Sequence, residues 1–150
     1  NIRELLEEIK EALMPSMMEK NITLEISGGE FAVPAAYGHM HNLFGNLIQN
    51  AVKYNVENGS VFVRVERDDK YMYLTVKDTG IGIPQEMQQR VFERFFRVDK
   101  GRSRSVGGTG LGLAIVKHIV SLYGGTVTLE SALGQGTTIT AKLRMDRIGA

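Results

Sequence analysis

No cysteine occurs in the chain, which excludes disulfides and thiolate metal sites and leaves an oxidising compartment without support. No apolar run approaches the roughly 20 residues that a bilayer-spanning helix needs, and the N-terminus carries no signal-peptide pattern. An excess of either charge is missing too. The formal net charge is +1, so there is no global electrostatic case for a nucleic-acid partner. What is present, 43% hydrophobic and 23% charged residues over 150 positions, fits one compact domain and is too short for two ordinary ones. Helical patterning begins at once at Asn1, so the chain is expected to be an excised cytoplasmic domain, from a parent either soluble or membrane-anchored.

Periodicity sets the order of elements. Ile2, Leu5, Leu6, Ile9 and Leu13 recur at helical spacing, and Pro15 is expected to interrupt or end that helix. A strand at Ile22 to Ile26 is closed by Gly28-Gly29, and a helix follows over roughly Ala35 to Tyr54. Ser60 to Arg67 and Tyr71 to Asp78 alternate with period two, placing Val61, Val63, Val65 and Met72, Leu74, Val76 on the buried side of a hairpin. Pro84 stands at a first helical position, with a short helix expected over Gln85 to Phe95. Residues from about Phe96 to Gly108 have neither period. Leu111 to Tyr123 reads as a helix stopped by Gly124-Gly125, and Thr126 to Glu130 and Thr137 to Arg144 read as an antiparallel pair. The pattern is α+β: a two-layer α/β sandwich whose mixed, mostly antiparallel sheet is covered on one face by helices.

Within the second helix, Asn42, Asn46, Asn50 and Lys53 fall within about an 80° arc, opposite Leu43, Phe44, Leu47, Ile48, Ala51 and Val52. Asparagine is a poor helix former because its amide competes for backbone hydrogen bonds. A solvated face would favour Glu, Lys and Gln. Three asparagines at i, i+4 steps offer oxygen and nitrogen ligands without negative charge, as a site for a hydrated cation and a polyanion requires.

Two glycine-rich turns accompany the stripe. Asp78-Thr79-Gly80-Ile81-Gly82-Ile83-Pro84 leaves a strand, with glycines that allow close approach of a flat ligand and an aspartate able to accept from an exocyclic amine. The same run also reads as a plain βα connection with a capping aspartate. Gly107-Gly108-Thr109-Gly110-Leu111-Gly112-Leu113 runs into an apolar helix, whose exposed N–H groups and positive dipole suit phosphate. It is neither the dinucleotide fingerprint nor a Walker loop, because no strand precedes it directly and no Lys-Ser or Lys-Thr pair follows. Between the turns lie Arg94, Arg97, Lys100, Arg102 and Arg104 among few apolar anchors, a composition expected for a mobile lid over a polyanion. Arg97, beside Phe95-Phe96, reads as functional; Arg102 and Arg104 read as exposed loop charges.

Taken together, Asn46 to Tyr54, Asp78 to Pro84, Phe92-Glu93-Arg94-Phe95-Phe96-Arg97 and Gly108 to Leu113 resemble the N, G1, F and G2 boxes of the ATP-binding catalytic domain of sensor histidine kinases. The resemblance implies a Bergerat ATP-binding fold, shared with gyrase, a heat-shock chaperone and mismatch-repair ATPases, with a mobile ATP lid at about 96–108. It implies ATP and Mg²⁺ as cofactors, with Asn50 the metal ligand. Asn46, Lys53 and Arg97 would take the catalytic positions around the phosphates, Asn46 lining the phosphate side and Lys53 contacting phosphate. Tyr54 would pack near the adenine, Asp78 would accept from its amino group, and Gly80, Gly82, Ile83 and Phe95 would line or shape its pocket. Arg97 and the backbone at Gly110 and Gly112 would serve the triphosphate, Gly108, Thr109, Leu111 and Leu113 would belong to the same nucleotide-binding set, and Gly136-Thr137 would close the pocket.

Residues 1–15 are then expected to be the tail of a helix or linker from a dimerisation domain, and residues 16–150 the catalytic domain. His39, His41 and His118 lack the acidic residue and Arg-Thr-Pro-like run that follow the family's phosphoacceptor histidine, so this chain would supply the donor only. The partners implied are a phosphoacceptor histidine domain of the same protein and a downstream response regulator. The fragment would be monomeric and the parent a homodimer. An ATP hydrolase of this fold is the first alternative, but its relatives carry a glutamate where Asn46 stands, and an amide cannot take the proton of an attacking water. The same argument weighs against anti-sigma serine kinases. The second alternative, a non-catalytic nucleotide-binding module, is opposed by intact Asn50, Lys53, Asp78 and G2 glycines. The seven methionines, Met14, Met17 and Met18 among them, read as core or interdomain packing.

Overall fold

Alternation and helical period are realised in nine elements of the computed structural model, which describes residues 1–93 and 112–145. They are α1 (Ile2–Lys20), β1 (Thr23–Gly28), α2 (Tyr37–Lys53), β2 (Ser60–Arg67), β3 (Tyr71–Asp78), a 3₁₀ turn (Gln85–Met87), α3 (Gly112–Leu122), β4 (Thr126–Ala132) and β5 (Gly136–Arg144). The sheet order is β1-β2-β3-β5-β4. β1 and β2 are parallel, with α2 in the crossover between them, and the other three pairings are antiparallel.

Register explains where the core lies. Val63 pairs with Val76, Val76 with Ile139, and Ile139 with Leu129, giving one apolar row across four strands. The next row runs Val65, Leu74, Ala141, Val127. These rows share one sheet face, and they join a single core with Leu43, Phe44, Leu47 and Ile48 of α2, Val116, Ile119 and Val120 of α3, and Ile2, Leu5, Leu6 and Ile9 of α1. Each such side chain contributes about 1.5–3 kcal/mol by leaving water, which makes one-face coverage the stable arrangement. Two layers of mixed α and β structure therefore form as the sequence predicts.

Three local expectations need correction. Pro15 does not end α1, which continues to Lys20 and closes on Asn21 in the left-handed region at φ 54°. Pro15 stands on the exposed side, where water can satisfy the helix carbonyl that its missing N–H leaves unpaired, and the turn beyond it is held by burial of Met17. The helix expected over Gln85 to Phe95 is instead a 3₁₀ turn followed by single turns as far as Glu93. Its backbone bonds span three residues, as in Met87 N–H to Pro84 O and Arg90 N–H to Met87 O, and the Gln88 side chain points inward to other partners. Finally, β4 and β5 extend to Ala132 and from Gly136, so the pair meets in a tighter turn than the sequence indicates.

Candidate nucleotide site

The asparagine stripe lies on α2 as its spacing requires: Asn42 is exposed, and Asn46, Asn50 and Lys53 are half-buried. Asn46 Nδ2 donates to the Asn42 carbonyl at 2.7 Å, and since a carbonyl can only accept, this bond fixes the amide's orientation. The Asn46 oxygen is thereby turned to the N-terminus of α3. A Cβ placed on Gly112 would lie 3.2 Å from Asn46 Oδ1 and 3.8 Å from Asn50 Nδ2. Glycine at that position thus lets the first turn of α3 approach the stripe. Among the described residues the Asn50 amide has no hydrogen-bond partner, so its donor and acceptor are available to a ligand. Leu113, half-buried, packs against the core beside it.

A second wall forms where the apolar rows of the sheet turn polar. One step beyond Val63, Val76, Ile139 and Leu129, the inward row reads Leu24, Val61, Asp78, Thr137, Ser131. Asp78 Oδ1 accepts from the N–H of Gly80 at 2.8 Å and of Thr137 at 3.2 Å. Burial raises the Asp78 pKa above the ordinary carboxylate value, and these two N–H bonds oppose the rise. Gly82 and Gly136 have φ of +75° and +103°, and a Cβ at either would collide with a backbone carbonyl, of Ala132 and Asp78 respectively. Gly80 is buried against the Tyr54 carbonyl, which also accepts from Ile81 N–H at 3.2 Å. Tyr54, the C-cap of α2, therefore joins the two walls.

Several residues that hold these walls are not evident from motif reading. Ser131 Oγ accepts from Ile83 N–H at 2.8 Å and donates to the Gly136 carbonyl at 2.9 Å. Gln88 Nε2 bridges the Ile83 and Ser131 carbonyls, both at 2.9 Å. Asn55, 4% exposed, donates to the Ser60 carbonyl and accepts from Val56 N–H and the Thr79 hydroxyl, tying the end of α2 to β2 and the first glycine turn. Lys20 Nζ donates to the carbonyls of Lys53 at 2.8 Å and Asn55 at 3.2 Å, capping α2 from the end of α1. A signal existed for Ser131: it is the polar member of the inward series Val127, Leu129, Ser131.

The structure brings together Asn46, Asn50, Lys53, Tyr54, Asp78, Gly80, Gly82, Ile83, Gly112, Leu113 and Thr137 along the ends of α2, β3, α3 and β5. Phe95, Arg97, Gly108, Thr109, Gly110 and Leu111, and the lid expected at 96–108, lie outside the described residues. Of the histidines, His39 shares a 2.7 Å hydrogen bond with the Tyr123 hydroxyl, His41 lies beside the Tyr37 ring, and His118 is exposed. No cluster of three His, Cys, Asp or Glu side chains is placed to hold a metal ion among the described residues.

The amide-lined helix, the glycine helix start opposite it and the half-buried aspartate between two glycine turns all lie in the part of the chain that a known family of ATPases matches. The family described as histidine kinase-, DNA gyrase B- and HSP90-like ATPase matches residues 36–147. The chain belongs to this family. Among its relatives, the sensor histidine kinase RppB of Synechocystis is 38% identical over 95% of this chain and 32% of its own length. The mycobacterial sensor histidine kinase MprB superposes with a TM-score of 0.76 at 32% identity, covering 93% of this chain and 95% of that one. Full-length ShkA, solved in complex with AMPPNP, gives 0.81 at 30% identity over 95% of this chain and 30% of its own. This histidine kinase-type ATPase domain spans about a third of the length of RppB. The four boxes read in the sequence fall within the matched region.

Proposed function

We propose that the chain binds Mg²⁺-ATP between α2 and the start of α3 and donates the γ-phosphoryl group to a histidine on a separate dimerisation domain. The observation that carries this reading is the position of Gly112 against Asn46 and Asn50. A helix start, where N–H groups lack intrahelical partners, stands beside uncharged amides, a combination suited to phosphate. The ATPase family and the AMPPNP complex of ShkA support a nucleoside triphosphate as the ligand.

Asn50 fits Mg²⁺ as a neutral oxygen donor whose amide is otherwise without a partner among the described residues, since this ion keeps several waters and takes other ligands from phosphate. When bound, Mg²⁺ would supply charge compensation for the phosphates. Asn50 binds, and Asn46 and Lys53 line the phosphate path with Arg97. Asp78 accepts from the adenine amino group, and Tyr54, Gly80, Gly82 and Ile83 shape the space around the base. Phe95, Gly108, Thr109, Gly110, Leu111, Gly112 and Leu113 complete the nucleotide's surroundings. Phosphoryl transfer needs chiefly positioning and charge stabilisation, so no nucleophile of this chain is required.

Asn46 argues for transfer to another protein over hydrolysis. Its amide is committed to Asn42 through nitrogen, and the oxygen that faces α3 cannot accept a proton at neutral pH. The acceptor domain is taken to precede residues 1–15, with α1 as its continuation, in a homodimeric parent that signals through a response regulator from the cytoplasm. Calorimetry decides the central point: Asn50→Ala is expected to abolish Mg²⁺-dependent ATP binding while the far-ultraviolet spectrum stays unchanged. Equal affinity in the variant would refute the assignment.

A further inference from the structure

Ser131 has one proton, and the structure commits it. Of its three partners, Ile83 N–H can only donate and the Gly136 carbonyl can only accept, so the Ser131 hydroxyl hydrogen goes to Gly136 at 2.9 Å. The third partner, Thr137 Oγ1 at 2.8 Å, must then donate to Ser131 Oγ. The Thr137 hydroxyl is left with acceptor capacity only. It stands beside Asp78 in the same inward row, and Thr137 N–H and Gly80 N–H occupy Asp78 Oδ1, leaving Oδ2 as a second acceptor.

We infer that Ser131 is a positioning residue for base selection: by holding the Thr137 hydroxyl as a pure acceptor beside Asp78, it makes this end of the pocket select a purine with a 6-amino group. The inference rests on the nucleotide reading above and adds to it the group that sets the selectivity. An amine brings two N–H donors to two acceptors. A 6-oxo purine brings lone pairs to the same place, leaving acceptors unpaired in a partly buried setting, the circumstance in which a site discriminates most strongly. Ser131 touches no ligand in this account; it acts through Thr137 and, through Ile83 N–H, on the neighbouring glycine turn.

The test is titration of the 150-residue chain with Mg²⁺-ATP and Mg²⁺-ITP, read as the ratio of the two dissociation constants. Ser131→Ala frees the Thr137 hydroxyl to rotate and donate to a 6-oxo group, so the preference for ATP is expected to shrink about tenfold, the worth of one hydrogen bond. Ser131→Thr keeps the hydroxyl and is expected to keep the preference. Should Ser131→Ala fail to fold, Thr137→Val, which deletes the acceptor at constant shape, is expected to shrink the ratio in its place. Parallel loss of both affinities, or a ratio unmoved in the folded variant, overturns the role of Ser131 while leaving ATP binding intact. A wild-type chain that binds both nucleotides equally overturns it as well. A wild-type chain that binds neither overturns the ATP reading itself, and the inference falls with it.

Discussion

Thr137 N–H donates to Asp78 Oδ1 at 3.2 Å across the β3–β5 register, so the aspartate is held by the strand that closes its own pocket. An asparagine could accept the same bond, and that of Gly80, through its amide oxygen. Asp78→Asn should therefore fold, yet lose about tenfold to a hundredfold in ATP affinity because a charged acceptor becomes a neutral amide. The pH dependence has a definite sign. The folded-state pKa of Asp78 is raised by burial, so ionisation costs more in the folded than in the unfolded chain. Its contribution makes stability fall as pH rises from 3.8 through the raised value. Asp78→Asn should flatten that slope in urea titrations; a slope identical to wild type would contradict it.

Gly136→Ala should be severe. Its φ of +103° is unfavourable for any L side chain, and a Cβ there runs into the Asp78 carbonyl. A loss of at least about 2 kcal/mol in chemical denaturation is expected, together with ATP affinity.

Gly45→Ala should do the reverse. The residue lies mid-helix in α2 and a Cβ there meets no atom within 4 Å. Stability should rise by about 0.5–1 kcal/mol through helix propensity alone. A fall would show that the added methyl meets something at this face.

Lys20→Met should cost about 1 kcal/mol, since the ammonium satisfies two carbonyls at the C-terminal end of α2 and opposes the negative end of its dipole. Methionine keeps much of the half-buried stem, so unchanged unfolding would mean that the cap carries no free energy.

Incubation with labelled ATP offers a test of the donor-only reading. Negligible acid-labile label is expected on His39, His41 and His118; stoichiometric label on any of them would place an acceptor within this chain.

The β2–β3 hairpin is legible to the residue because strict alternation acts locally. Asn46 and Asn50 are legible because their residue type contradicts helix propensity, and such contradictions tend to mark sites. Pro15 misleads because proline is read as a breaker, whereas packing of Met17 carries the helix past it. The 85–95 segment misleads in the opposite way: proline-led helical chemistry is outcompeted by the Gln88 bonds to Ile83 and Ser131, which a periodic reading cannot see. Ser131 and Asn55 escape notice because the bonds that tie them to the site, Ser131 to Ile83 and Asn55 to Thr79, reach residues distant in sequence that only the folded chain brings close.

The parallel pairing of β1 with β2 has a consequence for measurement. A parallel pair demands a crossover, and here the crossover is the helix that bears the asparagines. The phosphate wall is thus tied to the edge of the sheet, while the base wall grows from its centre and opposite edge. A ligand spanning both walls can recognise only the assembled chain. It should raise the midpoint of thermal unfolding in proportion to the logarithm of its concentration, with about 2.7 kcal/mol gained at a hundredfold excess over its dissociation constant. Melting temperature alone could then rank nucleotides and variants on unlabelled protein, with no acceptor domain present.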